Sequence, residues 1–251
     1  MIRNSFIILD GVGKRLEENI WKQGITSWEL FLDKRIVRGI SKRRKELYDN
    51  EINRASKALY ELNSSYFIEK LPLSETWRLY EFFKDEAIFL DIETSMDRNI
   101  SIIGLFDGIE TKIMIKNINL DYIALKNELM KYKLIVTFNG ASFDLPILKR
   151  KFPNLLPRIP HFDVRFACRK INLNGGLKEV EKKLGIERCI EVKSYSFDAI
   201  QLWDMFKKTK NKYYLELLIK YNEEDVINLK SVSDRVVKLL KTEIENEFFK
   251  D

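Results

Sequence analysis

Four carboxylates fall in three short contexts along the chain: Phe89-Leu90-Asp91-Ile92-Glu93-Thr94, then Asn139-Gly140-Ala141-Ser142-Phe143-Asp144, then Tyr221-Asn222-Glu223-Glu224-Asp225. Each acid lies at the end of an apolar run or one turn from an aromatic. A globular chain keeps charge out of such places unless a cation meets it there. A pair of divalent metal ions would meet that need, and the substrate such a pair suits is a phosphodiester.

The elements that carry these acids can be read from local pattern. Ala87 to Glu93 reads as a buried strand, and side chains alternate faces along a strand. Asp91 and Glu93 therefore point the same way, on the face of Ala87 and Phe89. The plainer reading is that this face opens to solvent. Lys133 to Phe138 is a second apolar, β-branched strand, broken by Asn139-Gly140. Asp144 follows at the start of a helical pattern carrying Leu145, Leu148 and Phe152, with Pro146 in its first turn. An Asp in that place also reads as an ordinary N-cap.

The third context sits on a helix whose apolar stripe runs on through Val226, Leu229 and Val232. Tyr221 and Asp225 are four residues apart, so they share a face about 6 Å along the axis. A phenol placed there can orient a water beside a metal-bound carboxylate. A core tyrosine next to a solvated Asp is the competing reading. Glu223 and Glu224 read as exposed helix acids.

Taken together and in this order, the three contexts resemble the exonuclease motifs of the DEDD superfamily of ribonuclease H-like nucleases, in the tyrosine branch. The histidine branch is excluded because the single His, His161, lies far before Asp225. The resemblance is nearest to the YprB-like predicted exonucleases. It extends through His161-Phe162-Asp163-Val164, the Leu177–Ile186 segment and Asp198 to Trp203, and covers roughly residues 85 to 240. His161 and Asp163 share a strand face and read as partners of the metal centre or as a local hydrogen-bonding pair.

The resemblance implies a metal-dependent 3′–5′ exonuclease. Asp91, Glu93, Asp144 and Asp225 would hold two Mg²⁺ or Mn²⁺ ions, since hard oxygen ligands without nearby Cys or His suit those metals rather than zinc. Tyr221 would position the attacking water, and 5′-mononucleotides would leave from a 3′ end. Asn139, Phe143 and Thr94 would contact the terminal nucleotide. The implied partner is nucleic acid, DNA favoured over RNA, with single-stranded 3′ ends. A catalytically weak nucleic-acid-binding module and a structure-specific endonuclease are the alternatives.

Composition agrees. Across 251 residues, 44 Lys and Arg face 38 Asp and Glu, a net charge of +6, which favours a polyanionic partner. Solvated lysine faces would give a similar excess. The 2 Cys, Cys168 and Cys189, suggest neither a metal site nor a disulfide framework. No apolar run has transmembrane length and no signal peptide opens the chain, so a cytoplasmic protein without a membrane partner is expected.

The chain divides into residues 1–33, a helix-hairpin-helix-like module; residues 34–83, a basic helical connector; and residues 84–251, the ribonuclease H-like domain. In the first unit, the Leu9 to Gly13 turn resembles a helix-hairpin-helix motif, where glycines let backbone N–H groups meet phosphate. Only Met1 to Ser5 precede it, too few for a full first helix. Gly24 marks a helix stop and Ser27 the next start. Gly11, Gly13 and Lys14 of this unit and Lys42, Arg43 and Arg44 of the connector are candidate nucleic-acid contacts, and the run from Lys34 to Lys45 is either a track or a solvated helix face. A helix over 46–70 follows, with Leu47, Ala55, Ala58, Leu59 and Leu62 as its apolar side, then a short helix capped by Ser74.

In the larger domain the pattern predicts strands at 87–93, 100–106, 111–116, 134–138 and 161–164, with helices at 121–131 and 144–151 and helices thereafter. The class is α/β: a ribonuclease H-like mixed five-stranded sheet flanked by helices, with a small all-helical N-terminal module. The resemblance to the ribonuclease H-like fold implies that the first strand is central, with the next parallel strand beside it.

Overall fold

A computed structural model describes residues 1–188 and 198–249. Its centre is a five-stranded sheet in the order β3-β2-β1-β4-β5. The strands are β1 (Ala87–Thr94), β2 (Ile100–Phe106), β3 (Thr111–Ile115), β4 (Leu134–Thr137) and β5 (His161–Asp163). The first three form an antiparallel meander, and β4 and β5 add in parallel on the other side of β1. This is the mixed ribonuclease H-like arrangement, with β1 in the middle.

Strand alternation divides the core. Ile88, Leu90 and Ile92 face a layer built from Leu125 and Leu129 of α5 (Tyr122–Leu129) and Leu145 and Leu148 of α6 (Asp144–Lys151). Ala87 and Phe89 face the opposite layer, with Val226, Leu229, Val232 and Val236 of the long C-terminal helix α10 (Lys212–Phe248). Between these helices come α7 (Val164–Lys170), α8 (Leu177–Leu184) and α9 (Ala199–Thr209). A capping box between Asp198 and Gln201 starts α9.

The N-terminal part contains α1 (Lys14–Trp21), α2 (Trp28–Asp33) and α3 (Lys42–Tyr60), followed by a 3₁₀ helix (Leu73–Leu79) and the short α4 (Tyr80–Phe83). Only a 3₁₀ turn, Ile2–Asn4, precedes the glycine turn. Ser27 caps α2 by accepting the Leu30 N–H, as its type suggests. Of the basic stretch, Lys34, Arg35 and Arg38 lie outside any helix, whereas Lys42 to Lys45 open α3, which Ser41 caps and which ends at Tyr60 instead of running over 46–70. Its buried side is Tyr48, Ile52, Ala55, Ala58 and Leu59, while Leu47 and Leu62 are exposed. The later helix does not begin at Ser74, because Pro72 occupies the N-cap position of a 3₁₀ helix that has no side-chain cap.

One apolar cluster runs without a break from Ile2, Phe6, Trp28 and Tyr48 to Phe89, Phe162 and Val236. Trp21 packs on Phe248 and Phe249 at the end of α10. Beneath it, buried Arg78 donates to Glu17 at 2.8 Å and to Glu75 at 2.8 Å. Glu17 also accepts from Ser5 Oγ and the Phe6 N–H, so its carboxylate knots the first residues to α1 and to the 3₁₀ helix. No helix among the described residues is long and apolar enough to cross a membrane. Cys168 is buried and has no disulfide partner among the described residues, its thiol pushed up to about 12 by burial; Cys189 lies outside the described residues.

Candidate metal centre

β1 carries the first two acids beyond its last pairing with β4, at Phe89. Carboxylate oxygens of Asp91, Glu93 and Asp225 lie within 4.8 Å of one another. Asp225 arrives on α10, which crosses the face of the sheet that carries Asp91 and Glu93. Asp144 joins from the side: its Oδ1 accepts the backbone N–H of Ile92 at 3.0 Å. Phe143, not Asp144, is the N-cap of α6, so Asp144 opens the helix with its carboxylate committed to β1.

The loop before Asp144 is held by β5 and α7. Asn139 takes a left-handed conformation at φ +65°. Asp163 accepts the Asn139 N–H at 2.7 Å and the Ala141 N–H at 3.0 Å while also capping α7 through Arg165. His161 bonds Thr137 Oγ1 instead, at 2.8 Å, and burial pushes its imidazole down to about 4. His161 and Asp163 are therefore not a pair; each secures a different part of the β4–α6 connection.

Among the other expected contacts, Phe143 is 40% exposed and open to a ligand, while Thr94 is buried. Asn139 Oδ1 is occupied by Arg165 Nη1 and Ser142 Oγ, both at 2.7 Å. Glu223 and Glu224 are half-buried rather than exposed. Glu223 accepts from Thr111 Oγ1 at 2.6 Å, and Glu224 lies 3.9 Å from Arg188.

Several neighbours of the acids carry weak or no signal in the sequence. Asn222, fully buried, donates Nδ2 to Asp91 Oδ2 at 2.7 Å. It fits only because Gly104, the β2 partner of Asp91, lacks a side chain: a Cβ there would stand 2.1 Å from Asn222 Oδ1. An isolated glycine inside a strand is the signal that could have found this contact. Lys178 of α8 lies 4.0 Å from the centroid of the Tyr221 ring. Arg188 pairs with Glu181 and with Asp225 Oδ1, each at 2.5 Å.

The electrostatics follow from crowding like charges in a dry place. Burial raises Asp91 well above the usual carboxylate range, reinforced by Glu93, Asp144 and Asp225. Burial, then Asp225 and Asp144, push Glu93 up to about 8, with Lys178 opposing. Burial lifts Asp144 to about 7 against the Ile92 hydrogen bond. Burial lifts Asp225 to about 6 against Arg188. Four carboxylates that resist ionising together, with oxygen donors alone in the cluster, fit hard divalent cations and do not fit a soft metal.

The N-terminal candidates lie elsewhere. Trp21 meets α10 at its far end, about 35 Å along the axis from Asp225. Gly11, at φ +69°, packs under Arg44, whose Nη2 donates to the Asp10 carbonyl at 3.2 Å. Lys45 is buried on Asp49 and over the Phe31 ring. Lys14, Lys42 and Arg43 are exposed. A cleft of about 820 Å³ beside the turn is lined by Gly11, Gly13, Lys14 and Lys70, and it includes none of the clustered acids.

A sheet of this order with acids from β1, α6 and α10 at one end raises the question of family. The RNase H superfamily profile matches residues 88–237, more than half of the chain. The chain belongs to the RNase H superfamily. It is also 27% identical over 194 residues to the uncharacterized protein YprB of Bacillus subtilis, a match covering 68% of this chain and 46% of that protein. The matched region thus spans about half the length of that relative.

Proposed function

We propose that this RNase H superfamily chain is a metal-dependent 3′–5′ exonuclease of the tyrosine branch, acting on nucleic acid and preferring DNA. The observation that carries the reading is the convergence of Asp91, Glu93 and Asp225 within 4.8 Å, with Asp144 docked on the same strand. Those four residues would hold two Mg²⁺ or Mn²⁺ ions, which when bound supply charge to the phosphate oxygens and acidify a water.

The chain's own residues do the positioning. Asn222 fixes the Asp91 carboxylate, and the Ile92 N–H fixes that of Asp144. Tyr221, one turn before Asp225, orients the attacking water through its hydroxyl. Lys178, beside its ring, adds positive charge where a phosphate would enter. Exposed Phe143 offers a face on which the terminal base can stack. Asn139 would meet that nucleotide through its amide nitrogen, and Thr94 by shaping the floor beneath it.

Residues 1–33, with the connector 34–83, would hold the polynucleotide away from the cutting site. The exposed Lys14, Lys42 and Arg43 support that role, whereas Arg44 and Lys45 are spent on internal contacts. The deciding experiment digests end-labelled single- and double-stranded DNA and RNA with Mg²⁺, Mn²⁺ or EDTA, with Asp91→Ala as control. A ladder of 5′-mononucleotides from the 3′ end, absent with EDTA and in the variant, is expected. Internal cuts would point to an endonuclease, and binding without cleavage to an inactive module.

A further inference from the structure

We infer that Arg188 is a built-in counter-cation of the acid site, a positioning residue that holds Asp225 and Tyr221 and tempers the affinity for metal. The inference rests on the proposed metal centre. Arg188 Nε and Nη2 grip the Glu181 carboxylate at 2.5 and 2.8 Å, and Nη2 also reaches Asp225 Oδ1 at 2.5 Å. The guanidinium lies 5.9 Å from the Tyr221 ring centroid, so the phenol and the third acid are referenced to one planar group. All of this is buried: the Arg188 side chain is 8% exposed, and that of Glu181 2%.

A fixed guanidinium keeps its charge at every accessible pH and binds in a rigid fork. Placed on Asp225, it does two things. It ties α8 to α10 through Glu181, which sets the direction of the Asp225 carboxylate. It also puts a positive charge beside the oxygens that would take a metal ion, which lets the acids stay folded together without metal and weakens the hold on any ion that enters. Arg188 Nη1 makes no hydrogen bond among the described residues and stands 3.9 Å from Glu224 Oε2. The fork is therefore not fully spent on structure.

The test is Mn²⁺ titration calorimetry and thermal unfolding of the full chain, with steady-state release of labelled mononucleotide from a 3′ end as the kinetic readout. Arg188→Gln should bind Mn²⁺ about tenfold tighter or more, unfold at lower temperature in EDTA, and gain more from Mn²⁺ than wild type does. Arg188→Lys should return Mn²⁺ affinity toward wild type, yet leave kcat low with KM little changed, because a point charge cannot hold both neighbours. Glu181→Gln removes the charge that competes with Asp225 for the guanidinium and should weaken Mn²⁺ binding several-fold, which keeps the test alive if Arg188→Gln does not fold. Mn²⁺ binding by wild type with equal affinity in Arg188→Gln or Glu181→Gln overturns this inference alone. No Mn²⁺ binding by any of the forms overturns the metal reading and this inference with it.

Discussion

Asp144 Oδ1 accepts the N–H of Ile92, the residue between Asp91 and Glu93, across 3.0 Å. The acid of the second motif is thus docked on the backbone of the first, and the spacing between them is set by a hydrogen bond from the strand backbone to the Asp144 carboxylate. Asp144→Asn keeps an acceptor for Ile92 and should preserve stability while abolishing hydrolysis. Asp144→Ala leaves a buried N–H unpaired and should cost about 1–3 kcal/mol more. Urea denaturation beside the nuclease assay separates the two effects. Equal stability of both variants would mean that the hydrogen bond contributes nothing.

Gly104 is the seat of Asn222. Gly104→Ala would place a methyl 2.1 Å from Asn222 Oδ1 and 3.2 Å from Val226 Cγ1. Asn222 is fully buried and cannot move aside cheaply. The variant should lose about 1–3 kcal/mol by overpacking and should bind Mn²⁺ more weakly, because Asp91 loses its amide donor. Denaturant midpoint and Mn²⁺ titration report the two losses. Wild-type values for both would show that Asn222 does not need the glycine.

What could be read from sequence, and what could not, divides along periodicity. Ala87 to Leu90 is an unbroken apolar run that reads as a buried strand, and side chains alternate faces along a strand, so Asp91 and Glu93 had to share a face whatever packed against it. The β-branched runs at Ile100 and Leu134 announced their strands in the same way, and so announced the mixed sheet. The bounds of α3 differ from 46–70 because Lys42 to Lys45 carry no apolar period to mark a helix start; Ser41 caps the helix there, and Tyr48 and Ile52 bury its other side. Glu223 and Glu224 were misread because helical pattern says nothing of Thr111 or Arg188 arriving from elsewhere. Arg188 itself has no local signature, since an ion pair between distant segments depends only on the fold. Gly104 could have been noticed, because glycine inside a strand asks for a reason.

The acid cluster should make the metal-free protein sensitive to rising pH. Glu93, Asp144 and Asp225 are raised to about 8, 7 and 6, so the folded state holds their protons more tightly than the unfolded chain does. Stability from such groups is complete below the unfolded carboxylate range near 4 and is lost as pH climbs through the folded values. In EDTA, the unfolding temperature should therefore fall between pH 5.5 and 8.5. Mn²⁺ should restore it most at the upper end, and Asp91→Asn should flatten the profile. An unfolding temperature in EDTA that rises over this interval would contradict the placement of the four acids.

Tyr221→Phe separates chemistry from binding. The ring remains, so its contacts with Lys178 and Arg188 are kept, and only the hydroxyl is lost. Hydrolysis should slow by roughly 10²-fold or more, the usual range for a group that guides a proton. Mn²⁺ affinity and the unfolding temperature should hold. Single-turnover release of labelled mononucleotide is the measurement. Equal rates in the two forms would remove the phenol from the mechanism and leave Lys178 as the neighbour to examine.

Arg78 joins the N-terminal helices to the rest of the molecule. Its guanidinium pairs with Glu17 and Glu75 and lies 5.7 and 5.1 Å from the Trp21 and Trp77 rings, with 5% of its side chain exposed. Removing one partner of a buried pair costs more than the pair is worth, because the other charge is stranded. Arg78→Ala should lose about 3–5 kcal/mol, whereas Arg78→Met with Glu17→Gln should lose far less. If Trp21 and Phe248 carry the remaining contact, the single variant should loosen residues 1–33 first. Proteolysis within that segment should then accelerate while the acid site still binds Mn²⁺. Uniform unfolding in both variants would instead mean that the N-terminal helices and the sheet fold as one cooperative unit.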